Sequence, residues 1–336
     1  MPTISVIVPV HNSAGTLEAC LQSIRRSAYR DFELIVVDDA STDDSRAIAI
    51  RYADKVIDMP DRAGRKSARQ RGTEASHGSI LVNIDSDVLI RPDALSVISD
   101  FFLKNPQTSA VTGTLSKEHP NKGFFSQYKN LYMYFIFGKL PRKTGFLYGS
   151  IYAMRRDCLQ SIQCDVKIAD DTALGQGLAA AGKEIAFLNN LEVVHLKKYD
   201  LFSFFKNDFL IPFDWAKIFI THAGWKQLGK LGTGYAHSPK EQLVSVMLAP
   251  LATAMIIISA LCCRIPASFI LLTILIWFGL NLKFLRFLTR EKGIAFGLIS
   301  IFVTFFDNVV MAAGIVSGFA AFAIDKGRQK IRRSRA

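Results

Sequence analysis

Apolar residues in the first 115 positions fall into blocks whose lengths match strands and helices. Four continuous apolar runs have the pattern of parallel strands covered on both faces: ISVIVPV (4–10), ELIVV (33–37), SILVNI (79–84) and SAVTG (109–113). After the first run, apolar residues recur at helical spacing at Leu17, Cys20, Leu21 and Ile24. Strands that alternate with helices in this way predict a doubly wound, mostly parallel α/β sheet.

The C-terminal third has a different pattern, because charged residues become rare there. Residues 243–263 carry no charge and reach the roughly 20 residues that cross a bilayer. Residues 266–288 follow after a very short turn, which predicts an antiparallel hairpin over 243–288. The third stretch, 294–324, is interrupted by Asp307–Asn308 and is too long for one untilted span. A tilted span and a bent re-entrant hairpin both fit it.

Two aromatic-rich segments, 123–141 and 201–220, lie between these regions. Both carry few charges, and their composition predicts helices that lie at a membrane surface. A buried aromatic core is the alternative. The pattern divides the chain into four parts: an α/β domain (1–200), interfacial helices (201–240), membrane-spanning segments (241–325) and a basic tail (326–336).

The net charge of +12 indicates anionic partners. No basic recognition helix and no RNA-binding aromatic motif occurs, so membrane lipid and phosphate groups are favoured over nucleic acid. Lys283, Arg286, Arg290 and Lys292 lie between the second and third apolar stretches and predict a cytoplasmic loop. Three simple spans would then put the basic tail outside, so the side of the tail stays open.

Two further features bear on the compartment. The start, MPTISVIVPV, lacks a basic segment and a cleavage site, so we expect no signal peptide. The five cysteines have no metal-type spacing, and ordinary packing thiols in a reducing compartment are expected.

Carboxylates follow two of the predicted strands at the point where each strand ends. Asp38 and Asp39 follow one strand, and Asp85 and Asp87 follow another. Ligands of parallel α/β sheets bind at the carboxyl ends of the strands, so these acids share one crevice. A hard divalent cation such as Mg²⁺ or Mn²⁺ is typically held by one or two carboxylates plus substrate phosphates. The pattern predicts such a site, and acidic caps in a turn are the alternative.

Five segments occur in the order and spacing of glycosyltransferase family 2, which the chain resembles over residues 3–200. They are SVIVPVHNSAGTLEACLQSI, FELIVVDDASTDDS, GRKSARQRG, LVNIDSDVLI and ADDTALGQGLAAAG. The resemblance implies a GT-A fold and inverting transfer of a sugar from a nucleotide donor. The hydrophobic C-terminal third resembles that of the membrane-bound bacterial members. We therefore expect an integral protein of the bacterial inner (cytoplasmic) membrane with a cytoplasmic catalytic domain.

The resemblance also implies where the nucleotide sugar binds. The residues expected to hold it are Pro9, His11, Asp38, Asp39, Arg69, Asp85, Gly149 and Lys197. Asp39 would bond the uracil or ribose, Gly149 would let the backbone approach the donor, and Lys197 would meet the diphosphate. Gln70 stands beside Arg69 where the family usually has Asn.

The metal and the base follow from the same resemblance. Asp87 would bind the metal, Asp85 would reach the metal or the ribose, and His195 would complete the metal site or contact phosphate. Asp171 matches the family's general base, and Asp170 stands where the family usually has Glu. A helix N-cap at Asp170–Asp171 is compatible with that role.

The acceptor is constrained by the base. A polyprenyl phosphate acceptor brings its own anionic nucleophile and needs no general base. Asp171 at the base position therefore indicates an acceptor that attacks through a hydroxyl group. With the apolar segments, this predicts transfer from a UDP-sugar to a lipid or lipid-linked hydroxyl at the cytoplasmic membrane face. A processive polysaccharide synthase, a polyprenyl-phosphate glycosyltransferase and a degenerate nucleotide-binding membrane protein remain the alternatives.

Overall fold

The computed structural model describes residues 3–161, 171–221, 239–262 and 265–335. Its strands are β1 (Ile4–Val10), β2 (Phe32–Asp38), β3 (Lys55–Asp58), β4 (Ile80–Ile84), β5 (Val88–Ile90), β6 (Ala110–Leu115), β7 (Lys143–Thr144), β8 (Ile151–Arg155) and β9 (Ile185–His195). Its α-helices are α1 (Ala14–Arg25), α2 (Ser45–Tyr52), α3 (Arg65–Glu74), α4 (Ala94–Lys104), α5 (Phe124–Phe137), α6 (Asp171–Ala180), α7 (Leu201–Thr221), α8 (Lys240–Cys262), α9 (Ala267–Lys292) and α10 (Ile294–Arg335).

Contacts between residues divide the chain into two units. The first comprises Met1–Lys122 and Phe137–Lys198, and the second comprises Gly123–Ile136 and Tyr199–Ala336. The aromatic segment that forms α5 thus belongs, except for its last residue, with the C-terminal helices rather than with the sheet.

The first unit is built on one mixed sheet with the strand order β3-β2-β1-β4-β8-β6-β9-β5, and β7 pairs with β9. The four strands from β3 to β4 run parallel, and β6 runs parallel to β9. β8 is antiparallel to both of its neighbours, and β5 is antiparallel to β9. The predicted mostly parallel sheet is therefore confirmed.

The apolar pattern explains how this sheet is covered. Every residue of β1 and of β4 is buried, as expected for strands that have helices on both faces. On α1, the four residues at helical spacing, Leu17, Cys20, Leu21 and Ile24, are all buried. Strands β1, β2 and β4 end at one edge of the sheet, and this edge carries the acidic residues.

The second unit contains three helices that are long and apolar enough to cross a membrane: Lys240–Cys262, Ala267–Lys292 and Ile294–Ile324. The third is part of the continuous helix α10, so Asp307–Asn308 does not tip a re-entrant hairpin. Both side chains are buried within the unit. Large apolar side chains such as Met247, Leu261 and Phe302 are more than two-thirds exposed, as expected for helices that face lipid.

The aromatic residues of α5 and α7 take both of the expected environments. Tyr128 and Phe204 are buried and pack edge to face, with ring centroids 5.5 Å apart. Phe202, by contrast, is 76% exposed. Both helices therefore contribute to the core of the second unit, and α7 also presents exposed apolar side chains such as Phe202.

A buried ion pair joins α5 to α7. Lys129 Nζ contacts Asp208 Oδ1, and their side chains are 12% and 2% exposed. Asn207 Nδ2 donates a hydrogen bond to the same carboxylate oxygen at 3.0 Å. Because the carboxylate lies away from water, its charge depends on the ammonium group beside it.

Replacing Lys129 by Met should therefore lower the free energy of unfolding by ~3–5 kcal/mol, because it leaves the Asp208 charge buried and unpaired. Unfolding of the full chain in detergent micelles measures this loss. The matched control is Arg91→Met, since Arg91 and Asp93 form a pair whose side chains are 55% and 48% exposed. That change should cost only ~0–1 kcal/mol. Equal small losses in the two variants would contradict the prediction.

Candidate active site

A cavity of about 290 Å³ lies at the acidic edge of the sheet, within the first unit. Its walls are formed by the ends of β1, β2 and β4 and by the start of α3. The lining residues are Pro9, Val10, His11, Ser13, Asp39, Arg62, Arg65, Ala68, Asp85, Ser86 and Asp87. Five of the residues expected at the site, Pro9, His11, Asp39, Asp85 and Asp87, thus come together around one cavity.

Asp39 shapes this cavity through the backbone. Its carboxylate is buried and accepts hydrogen bonds from the N–H groups of Ala63 at 2.7 Å and Gly64 at 2.8 Å. The imidazole Nδ1–H of His11 donates to the backbone carbonyl of Asp39 at 2.7 Å. The carboxylate therefore fixes the loop before α3 against the end of β2, and its remaining lone pairs are available to a ligand.

Asp38 has a different environment from its neighbour. Its Oδ1 accepts a hydrogen bond from the Ser41 N–H at 3.2 Å, which closes the turn after β2. Among the described residues, Asp38 is not one of those that line the cavity. The geometry therefore gives Asp38 a role in the turn.

Arg69 lies beneath the site. It is 2% exposed, its Nη2 donates to Asp85 Oδ1 at 2.8 Å and to the Gly149 carbonyl at 3.2 Å, and its guanidinium lies over the ring of Tyr152. A buried guanidinium with these partners can orient the Asp85 carboxylate. Arg69 thus acts on the cavity through Asp85.

Gly149 brings the candidate base into the same network. Asp171 is the first residue of α6, and its Oδ2 occupies the space that a Cβ at position 149 would fill. The same Cβ would lie 3.2 Å from Arg69 Nη2. Glycine is therefore required for the Asp171 carboxylate to approach Arg69 and, through it, Asp85. The other expected acid, Asp170, lies outside the described residues.

Asp87 faces His195 across the β5–β9 pair. Asp87 Oδ1 and His195 Nε2 are 3.8 Å apart, and the backbone N–H of Lys197 donates to His195 Nδ1 at 3.0 Å. Burial raises the pKa of the Asp87 carboxyl, and the nearby charge of Asp85 raises it further, while His195 and Lys197 oppose the shift. Two acids and two basic side chains thus share this side of the site.

The residues present fit a hard divalent cation. Within the part of the chain that the structure describes, no three His, Cys, Asp or Glu side chains gather around one point that could hold a metal ion. Asp85 and Asp87 could supply one or two carboxylates, which is the usual protein share for Mg²⁺ when substrate phosphates provide the other ligands. Mutual repulsion of two carboxylates also favours a bound cation between them.

The raised pKa of Asp87 predicts how metal binding depends on pH. A carboxyl whose pKa lies above its ordinary value of 3.8 takes up its proton at a higher pH than an exposed aspartate does. As the pH falls below neutral, the affinity for Mn²⁺ in the presence of UDP should therefore decrease early, because the proton and the metal compete. Titrations of Mn²⁺ into the protein at several pH values measure this, with Mn²⁺ and UDP alone as the control. An affinity that stays constant down to the ordinary aspartate range would contradict it.

Two residues of the cavity wall, Arg62 and Arg65, were not among the expected site residues. They lie just before and at the start of α3, and they line the same cavity as the strand-end acids. Their planar guanidinium groups suit the oxygens of a diphosphate. The sequence signal is a pair of arginines at a helix N-terminus, next to a strand end that carries acids.

Comparison with known proteins shows what the N-terminal half of the chain is similar to. A family model described as glycosyl transferase family 2 matches residues 5–163. An uncharacterized glycosyltransferase of Haemophilus influenzae is 36% identical over 110 residues, which cover 31% of this chain and 44% of that protein. The putative glycosyltransferase EpsH of Bacillus subtilis is 37% identical over 97 residues, which cover 27% of this chain and 28% of EpsH. The chain thus spans less than half the length of either relative.

A solved structure resembles nearly the whole chain. The mannosyltransferase PcManGT of Pyrobaculum calidifontis, in complex with GDP-Man and Mn²⁺, superposes with a TM-score of 0.63. The match covers 97% of this chain and 88% of PcManGT, with 18% sequence identity. At that identity the likeness is one of fold: a mixed, mostly parallel sheet followed by long apolar helices.

Proposed function

Because the chain carries a glycosyltransferase family 2 domain of the GT-A fold, followed by three long apolar helices, we propose that it transfers a sugar from a nucleotide-sugar donor to a hydroxyl group. The observation that supports this most strongly is the contact network around Gly149. Asp171 lies against Gly149, Arg69 bonds both Gly149 and Asp85, and Asp85 lines a cavity with Asp87. This network links a base candidate in α6, through Gly149 and Arg69, to two metal-ligand candidates that follow β4, and the link supports the proposal.

The donor would bind in the cavity. His11 and Asp39 border its base and ribose end, and the guanidinium groups of Arg62 and Arg65 bind diphosphate oxygens. Asp87 and Asp85 would hold Mg²⁺ or Mn²⁺, with His195 beside them. When bound, the cation neutralises the charge that develops on the leaving diphosphate.

Asp171 would serve as the general base. Its carboxylate takes the proton of the acceptor hydroxyl as the hydroxyl oxygen forms a bond to the anomeric carbon. The bond between that carbon and the diphosphate oxygen breaks in the same step, and the electron pair leaves with the nucleoside diphosphate. Attack from the face opposite the leaving group inverts the anomeric configuration.

The acceptor is proposed from the C-terminal helices. Three candidate spans with exposed apolar side chains favour a lipid or lipid-linked sugar as the acceptor. The basic residues predicted to form a loop lie instead in the C-terminal part of α9: Lys283, Arg286, Arg290 and Lys292. At that end of a candidate span they still favour catalysis at the cytoplasmic face. A UDP-sugar is the proposed donor, and GDP-sugars are the alternative because PcManGT is in complex with GDP-Man.

Mass spectrometry of lipids tests this proposal. The purified full chain in lipid nanodiscs is incubated with Mn²⁺, a bacterial lipid extract, and a panel of UDP- and GDP-sugars. We expect one lipid class to gain the mass of a single sugar, and we expect this product to be absent when EDTA is added. Nucleotide-sugar binding with no transfer to any acceptor in the extract would instead favour a degenerate, non-catalytic domain.

A further inference from the structure

His119, in the loop between β6 and α5, is a buried histidine whose two ring nitrogens both have partners. Nδ1 accepts a hydrogen bond from the Asn121 N–H at 3.1 Å and lies 3.3 Å from the Asn121 carbonyl oxygen. Nε2 lies 3.1 Å from the backbone carbonyl of Lys197. Because a carbonyl can only accept, Nε2 must carry the proton. Burial lowers the pKa of the His119 ring, which favours the neutral form, and its Nε2–H holds the Lys197 carbonyl in place.

The peptide group of Lys197 connects this histidine to a second one. The Lys197 N–H donates to His195 Nδ1 at 3.0 Å, so Nδ1 is an acceptor and the proton of the neutral ring lies on Nε2. That nitrogen faces Asp87 Oδ1 at 3.8 Å. A neutral imidazole coordinates a metal through its unprotonated nitrogen, so in this arrangement Nε2 presents a hydrogen-bond donor.

The turn that carries Lys197 is held at a second point. The Leu196 N–H donates to the backbone carbonyl of Asp87 at 2.7 Å, which ties the end of β9 to the strand-end acids. The loop after β6 is attached on its own side, because the Ser116 N–H donates to the Val193 carbonyl at 2.8 Å. His119 therefore bridges two segments that are already anchored, and it completes the frame around His195.

We propose that His119 is a positioning residue for the candidate metal site. By holding the Lys197 carbonyl, it fixes the turn after β9, and this turn keeps His195 in the Nε2-protonated form, with Nε2 facing Asp87 Oδ1 at 3.8 Å. His119 contacts neither the metal nor the donor in this scheme. Of the two roles that stay open for His195, the geometry favours a donor to carboxylate or phosphate over a metal ligand.

The expected effect follows from how such outer partners behave. Residues that orient a metal ligand through hydrogen bonds typically change metal affinity or activity by ~10- to 100-fold when they are replaced. The inference rests on the proposed function only in naming Asp87 as a metal ligand. The tautomer of His195 can be measured without any sugar transfer. An experiment can therefore contradict the role of His119 without contradicting the proposed sugar transfer, and the reverse.

The test uses the full chain, labelled with isotopic nitrogen in its six histidines, in detergent micelles. Ring-nitrogen chemical shifts report the tautomer, and His195→Gln identifies the His195 signals. The wild type should show His195 protonated on Nε2 only. His119→Phe should show exchange between both tautomers and a ~10- to 100-fold weaker affinity for Mn²⁺ in the presence of UDP. His119→Gln, whose amide can still donate to the Lys197 carbonyl, should restore both properties in part.

His77→Phe is the matched control, because His77 is an exposed histidine that bonds Glu33 instead. It should leave the His195 spectrum and the Mn²⁺ affinity unchanged. A wild-type His195 protonated on Nδ1 would overturn the proposal, and so would a folded His119→Phe protein that keeps the single Nε2-protonated form. If the Phe variant does not fold, His119→Asn serves in its place, because its side chain is too short to reach the Lys197 carbonyl. This variant should likewise show exchange between both tautomers of His195.

Discussion

Replacing Asp171 by Asn should reduce sugar transfer by ~10²- to 10⁴-fold, the usual contribution of a positioned general base. The amide has nearly the same shape as the carboxylate but cannot accept the proton of the acceptor hydroxyl. Asp171 lies against Gly149 and, among the described residues, is not one of those that line the cavity. Binding of the nucleotide should therefore remain at the wild-type level. Transfer of radiolabelled sugar measures the first effect, and calorimetric titration with UDP and Mn²⁺ measures the second.

The control for this change is Asp93→Asn, since Asp93 is a half-exposed aspartate that pairs with Arg91 at the surface. Its transfer rate should match that of the wild type. An Asp171→Asn protein that retained full turnover would remove Asp171 from the mechanism. Loss of nucleotide binding together with activity would mean that Asp171 maintains the site rather than acting as the base.

Replacing Asp87 by Asn should weaken Mn²⁺ binding in the presence of UDP by at least ~100-fold, since even the loss of an outer partner of a metal ligand costs up to that factor. Asp87 lines the cavity next to Asp85, whose carboxylate is already bonded by Arg69. The neutral amide removes the charge that attracts the cation. Transfer should fall below detection with it, because the leaving diphosphate loses its counter-charge.

Electron paramagnetic resonance of free Mn²⁺ measures this affinity directly. Asp93→Asn again serves as the control and should bind Mn²⁺ with UDP as the wild type does. If Asp87→Asn bound the metal normally, the candidate metal site would have to lie elsewhere in the chain. If both Asp87→Asn and Asp171→Asn lost metal binding, the two residues could not have the separate roles proposed here.

The strands and the first helix could be predicted because their pattern is local. β1 and β4 are uniformly apolar since both faces are covered, and α1 shows the helical spacing of its buried residues. The antiparallel strand β8 was not predicted, although it lies between β4 and β6 in the sheet. Its partners are far away along the chain, and a short run such as IYAMR does not indicate which strands it will join.

The third apolar stretch shows another limit of pattern reading. Asp307 and Asn308 interrupt its hydrophobicity, yet α10 is continuous through them. Polar side chains do not break the backbone hydrogen bonds of a helix, and here both side chains are buried within the second unit. A polar pair inside an apolar helix therefore indicates packing against other helices rather than a turn.

Site residues that directly follow a strand could be predicted from the sequence, whereas those in loops and helices were harder to predict. Asp39, Asp85 and Asp87 line one cavity because parallel strands end at the same edge. Arg69 was expected to contact the nucleotide, but it lies buried beneath Asp85. His119 carries no periodic or motif signal, since a single histidine in a loop becomes informative only when its neighbours in space are known. Arg62 and Arg65 stand at a helix start, which is a weaker signal than a strand end.

The anomeric configuration of the product tests the proposed single displacement most directly. With a donor whose sugar is α-linked to the diphosphate, attack by the hydroxyl that Asp171 activates should give a β-linked product. Proton NMR of the isolated lipid product distinguishes an α-linked from a β-linked sugar by the coupling of the anomeric proton. A β-linked sugar is the predicted result, and an α-linked sugar would contradict direct attack opposite the metal-bound leaving group.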